Sequence, residues 1–166
     1  DTDFVGIDGT HGGKYETTAE LAAVVEAAWP LPLTPGVRRF VVCTGGEPLL
    51  QLDGPLVAAL HGAGFEIAVE TNGTQVSTPG IDWICVSPKA RAELRLTRGN
   101  ELKLVYPQEG AGGDPARYEH LDFCWFYLSP MDGPEWERNT RLVLRYCLEH
   151  PRWRMNVQTH KYLGIR

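Results

Sequence analysis

The sequence predicts an α/β fold built on parallel strands, and three observations carry that expectation. Its 166 residues suit one domain with a genuine core, and fall short of the roughly 250 residues of a complete eight-stranded barrel. Short apolar runs alternate with stretches of helical spacing, the pattern of strand, crossover helix and parallel strand. A polar or glycine-rich cluster follows most of the apolar runs: TGGEP after Cys43, TNGT after Glu70, SPKA after Val86, SPMDG after Leu128 and QTHK after Val157. In parallel α/β sheets ligands bind beyond the carboxyl ends of the strands, so these clusters are expected to converge on one mouth. The pattern is met by an open doubly wound sheet or by an incomplete barrel.

The elements follow in order. The opening DTDFVGIDGTHGGKY is rich in glycine and aspartate and reads as a loop. Thr17 and Glu20 then form a capping box, and Leu21, Val24, Val25 and Ala28 recur at helical spacing until Pro30 and Pro32 end the pattern. Residues 39–43 read as a buried strand delivering a glycine pair. Residues 55–60 read as a helix with proline tolerated at its first position. Further strands are expected over 66–70, 83–86, 101–106, 123–128 and 153–157. A helix is expected over 135–150, with Leu142, Val143, Tyr146 and Cys147 on one face and Pro151 ending it.

Composition limits the function. With 43% apolar and 22% charged residues the chain is globular, and a net charge of −5 argues against a broad surface for nucleic acid or anionic lipid. No signal peptide and no apolar run long enough to span a bilayer is present, which points to the cytoplasm. Cys43, Cys85, Cys124 and Cys147 form no CxxC pair and sit in apolar stretches, as reduced core residues do. TGGEP is not a phosphate loop, since it lacks GxxxxGK[ST] and Glu47 would repel phosphate. Its glycines let the backbone approach a ligand, and Glu47 suits a cationic group.

CTGGEPLLQLD, ETNGT, ICVSPKA, NELKLVYPQ, LSPMDG and NVQTHKYLGIR, in that order, resemble the 7-carboxy-7-deazaguanine synthase family of radical S-adenosylmethionine enzymes. The likeness spans nearly the whole chain. It implies a single core domain over residues 1–166, an incomplete (β/α) barrel of the radical S-adenosylmethionine type, and conversion of 6-carboxy-5,6,7,8-tetrahydropterin to 7-carboxy-7-deazaguanine, on the route to queuosine in tRNA. The family's three cysteines for a 4Fe-4S cluster precede the position of Asp1, and none of the four cysteines here matches them. The expectation is therefore a chain truncated ahead of Asp1, with a non-catalytic S-adenosylmethionine- or pterin-binding relative as the alternative. An ordinary phosphate-binding α/β protein is the weaker third reading.

The resemblance also implies roles for particular residues. Asp1, Gly45, Gly46, Glu47, Ser87, Pro88, Lys89, Ser129, Pro130, Met131 and Asp132 would bind S-adenosylmethionine, with Ser129 standing where the family more often has glutamine. Thr44 and Arg166 would touch the substrate, Arg166 standing where the family's chain end is commonly proline. Thr2 would ligate Mg²⁺. A homodimer and an electron donor such as a flavodoxin are implied as partners. His160 and Lys161 could act as acid or base groups or position substrate, and Glu70 and Asn72 could bind a guanidine-like pterin edge or hold their turn. The aromatic residues of CWFYLSP read as core packing and a dimer face.

Overall fold

A computed structural model describes residues 12–30, 35–159 and 163–164. Asp1, Thr2, His160, Lys161 and Arg166 lie outside the described residues. The rest fall into two compact units, the first within Asp1–Val69 and Ser77–Asp82, the second within Glu70–Val76 and Trp83–Arg166.

In the first unit the capping box forms as expected: the Thr17 hydroxyl accepts from the Glu20 amide at 3.2 Å, and the Glu20 carboxylate reaches back to the Thr17 amide at 3.2 Å. It opens helix α1, Thr18–Ala27. The buried residue of α1 is Ala22, while Val24 and Ala28 of the expected apolar face are exposed. Strand β1, Arg39–Cys43, is followed by helix α2, Gly54–Gly62, and strand β2, Phe65–Thr71. Asp53 caps α2 by accepting from the Leu56 amide, with Pro55 in the first turn. β1 and β2 pair in parallel from Arg39↔Phe65 to Cys43↔Val69. β2 is a buried strand, with Phe65, Ile67, Ala68 and Val69 all at 4% exposure or less. β1 is not the buried strand that its sequence suggests, because Phe40 and Val42 stay about half exposed.

Asp82 ties the end of this unit to β2. Its carboxylate accepts from the Ile67 amide at 2.8 Å and lies 2.9 Å from His61 Nε2, while its own amide donates to the Ile67 carbonyl. The Ile67 amide bond, then the His61 partner, hold the Asp82 carboxyl below its ordinary value. A carboxyl with a depressed folded pKa stabilises above its unfolded pKa of about 3.9 and loses that contribution as pH falls through the folded value. The Asp82 side chain is 41% exposed, and water screens its contacts. Asp82→Ala is therefore expected to cost about 1 kcal/mol or less near neutral pH, with the difference from wild type shrinking below about pH 4. Urea unfolding across that pH range checks it.

The second unit is a parallel array with β3, Trp83–Val86, β4, Arg98–Tyr106, β5, Asp122–Pro130, and β6, Trp153–Met155, hydrogen-bonded in that order. Helix α3, Trp136–Glu149, crosses from β5 to β6. Val143 of its expected apolar face is fully buried, and Leu142, Tyr146 and Cys147 are half-buried. As expected, α-helix fills only some of the crossovers, β1–β2 and β5–β6. Segments 72–82, 87–97 and 107–121 cross over as loops and short 3-10 turns, since each is broken by proline or glycine.

Register separates the array into an apolar face and a polar one. Leu102, Leu104, Phe126, Leu128 and Trp153 lie on the first, all at 2% exposure or less, and Trp153 meets Phe126 edge-on at 5.3 Å. Cys85, Glu101 and Trp125 share the other face with Lys103, Tyr127 and Arg154. Trp125 is not core. It is 38% exposed, with the Arg154 guanidinium 4.0 Å above its ring.

Candidate functional site

Most of the polar clusters singled out in the sequence leave strand ends, and the second unit carries all but TGGEP. Parallel pairing puts the ends of β4, β5 and β6 at one edge, through Tyr106↔Pro130 and Leu128↔Met155. The end of β2 joins them, because the Ser87 amide after β3 donates to the Thr71 carbonyl at 2.7 Å. Asn72–Thr74, Ser87–Lys89, Met131–Asp132 and Asn156 thus emerge together.

Each turn is held by its own chemistry. Thr71 Oγ1 accepts from the Gly73 amide at 3.0 Å, and Asn72 Oδ1 accepts from the Thr74 amide at 2.9 Å. Gly73 has φ +76°, and its carbonyl receives the Arg95 and Leu96 amides, so the β3–β4 loop is fastened to the TNG turn. Pro88 is buried and Lys89 exposed. Ser129 and Pro130, expected in a loop, are still strand, because pairing to Val105 and Tyr106 continues through them. Pro130 has no amide to donate, and the Tyr106 carbonyl is met by the Met131 amide at 2.9 Å. Ser129 is buried at 8% exposure, and its hydroxyl accepts from Asn156 Nδ2 at 2.8 Å. Asn139 of α3 donates to the Met131 carbonyl at 2.9 Å, and the Asp132 carboxylate accepts from the Gly133 amide.

On the polar face below this edge, Lys103 Nζ donates to both oxygens of Glu70, at 2.9 and 2.8 Å. Both side chains are partly exposed, 26% and 38%. Burial disfavours charge on Lys103, but the hydrogen bond and charge of Glu70, with the charge of Glu101, outweigh it and hold the ammonium above its ordinary range. Burial pushes the Cys85 thiol far up, so it is neither a thiolate ligand nor a nucleophile. Lys103, Asn156 and Asn139 escaped the sequence reading. Lys103 was legible in the alternation of Glu101 and Lys103 with Leu102 and Leu104, which marks a two-faced strand.

In the first unit TGGEP follows β1 directly. Gly45 and Gly46 take φ +85° and +57°, and a Cβ on either would meet none of the described residues within 4 Å. The pair is therefore an open cradle of backbone, which fits a ligand lying against the chain. Thr44 is exposed beside it. Glu47 is half-buried and caps the turn Pro48–Leu50 by accepting from the Leu49 amide at 3.2 Å.

The cysteines are all free, and only Cys85 is buried; Cys43 and Cys147 are half-buried and Cys124 is exposed rather than core. Among the described residues no group of three or more histidine, cysteine or acidic side chains could hold a metal. The described cysteines do not fit an iron-sulfur cluster.

No protein-family model matches the chain. Among curated proteins, the 7-carboxy-7-deazaguanine synthase of Caulobacter vibrioides is 61% identical over 166 residues, covering 99% of this chain and 76% of its own. The chain belongs to the 7-carboxy-7-deazaguanine synthase family. The synthases of Bradyrhizobium diazoefficiens and Burkholderia multivorans are 58% and 55% identical over 100% and 99% of the chain, covering 77% and 76% of their own lengths. Among solved structures, that of QueE from Escherichia coli superposes with a TM-score of 0.63 at 28% identity, over 84% of this chain and 63% of that one. The chain thus spans about three quarters of the curated synthases that it matches and somewhat less of the solved structure. The α/β architecture read from the sequence is the fold of a synthase.

Proposed function

We propose that this chain carries the core of a lyase that converts 6-carboxy-5,6,7,8-tetrahydropterin to 7-carboxy-7-deazaguanine with release of ammonia, a step in queuosine biosynthesis. The observation that carries the proposal is 61% identity, over 166 residues, to a protein named for that product. The product is the substrate less ammonia, so the ring contraction consumes no net oxidant. S-adenosylmethionine, when bound and reduced, supplies the carbon radical that takes hydrogen from C6 of the pterin.

The chain's own residues bind and orient. The open backbone at Gly45 and Gly46 suits the methionine part of S-adenosylmethionine, with Glu47 toward its ammonium. Ser87, Pro88 and Lys89 would form a second contact, and Ser129, Pro130, Met131 and Asp132 a third, consistent with their shared edge in the second unit. Thr44 would touch the pterin. Glu70 offers a carboxylate to the two N–H donors of the pterin's amino-pyrimidinone edge, a choice that the polar surroundings of Glu70 support. Asp1 toward S-adenosylmethionine, Thr2 as Mg²⁺ ligand and Arg166 toward the substrate complete the assignment. Mg²⁺ would hold the substrate carboxylate.

Residues 1–166 would act as one core domain. A homodimer would cover exposed apolar side chains such as Leu144 and Leu148 of α3, and an electron donor of the flavodoxin kind would supply the reducing equivalent. No helix among the described residues is long and apolar enough to cross a membrane. The cytoplasm is the proposed place of work.

Anaerobic assay of the full-length, iron-loaded protein with S-adenosylmethionine, Mg²⁺ and a reductant tests the proposal. Product and ammonia are expected in equal amounts. Tight binding of S-adenosylmethionine and pterin by iron-loaded protein without product would replace it with a binding relative.

A further inference from the structure

Lys103 and Glu70 come from different strands, β4 and β2, yet both carboxylate oxygens are engaged by one ammonium at 2.8–2.9 Å. A carboxylate has about four acceptor sites, two per oxygen, so a single ammonium bridging both leaves one on each for an incoming donor pair. The charges around the pair make Lys103 matter. Glu101 of β4 and Cys85 of β3 share its face, and Tyr127 of β5 stands opposite it in register with Arg154 of β6 beyond. The Cys85 thiol is neutral, which leaves two carboxylates and one lysine at the centre of the group.

We propose that Lys103 is a positioning residue, holding the plane of the Glu70 carboxylate for the amino-pyrimidinone edge of the pterin. The inference rests on the reading of Glu70 as a substrate contact. With Lys103 in place the carboxylate is oriented before the pterin arrives, and the entropy of orienting it is not charged to binding. Without Lys103 the bridge across the two Glu70 oxygens is lost, and the carboxylate must be oriented as the pterin binds.

The test uses the full-length, cluster-loaded protein without reductant, so that pterin binding is read by calorimetry rather than by turnover. Lys103→Met is expected to weaken pterin binding about tenfold relative to wild type, since the carboxylate is no longer held in plane before the pterin arrives. Lys103→Arg is expected to restore binding to within about threefold, because a guanidinium also bridges both oxygens. Under turnover the loss is expected in KM rather than kcat, with S-adenosylmethionine affinity and cluster absorbance unchanged. Lys103→Gln, neutral and of similar reach, serves if Lys103→Met does not fold.

Binding that is unchanged overturns the inference, as does a Lys103→Arg protein no better than Lys103→Met. Glu70→Gln separates the two readings. If it binds pterin as wild type does, Glu70 is not a substrate contact and both fall. If it weakens binding while the Lys103 variants do not, only the role of Lys103 falls.

Discussion

Gly73→Ala is expected to destabilise the fold by about 2–5 kcal/mol, with a drop in melting temperature on the order of 10 °C. Two costs add. The residue sits at φ +76°, in the left-handed region where a side chain costs about 1–2 kcal/mol. A Cβ there would lie 2.5 Å from Leu94 Cδ1 and 2.8 Å from Val86 Cγ1. The Leu94 methyl can swing aside, but Val86 is fully buried in β3 and has little room to yield. Its shift would also disturb the Arg95 and Leu96 amides that donate to the Gly73 carbonyl, so the loop carrying Ser87–Lys89 should loosen as well. Thermal unfolding checks the first effect, and amide exchange in residues 87–97 the second. A melting temperature within about 2 °C of wild type would show that the turn adapts without loss.

Gly46→Ala is expected to do the opposite: little to stability and much to cofactor binding. Its φ of +57° again costs about 1–2 kcal/mol for a residue with a Cβ, but none of the described residues lies within 4 Å of that position. The added methyl meets none of them and is left standing in the cradle. If S-adenosylmethionine lies against that backbone, its affinity should fall about tenfold or more, equivalent to 1.4 kcal/mol or above. Equilibrium binding of S-adenosylmethionine to the iron-loaded full-length protein reads it directly. Unchanged affinity beside a small loss of stability would place the cofactor elsewhere. The two glycines share a backbone class, and the space around each decides which property is lost.

What the chain's sequence determined by itself was whatever is written within a few residues. The capping box of Thr17 and Glu20 acts across one helical turn, so α1 starts where its residues say, and Pro55 marked the first turn of α2 to within a residue. β1 and β3 were bounded correctly because glycine or proline punctuation lies beside them. The ordered set TGGEP, ETNGT, SPKA, SPMDG and QTHK likewise marked the family before any fold was known, since a motif is local too.

The tertiary structure decided what depends on partners far along the chain. Glu70 and Lys103 stand 33 positions apart, and Ser129 and Asn156 stand 27 apart. No local signal connects them; parallel register does. Pairing with β4 carried β5 through Ser129 and Pro130, although their composition reads as a turn. Burial was settled in the same way. Val24 and Phe40 are as apolar as Ile67, yet they stay exposed, because burial depends on what packs against a face and not on the residue alone. The chemistry-bearing residues were legible as types and as strand ends. Their division into an apolar face and a polar one, with a lysine already holding the acid at its centre, came only from folding.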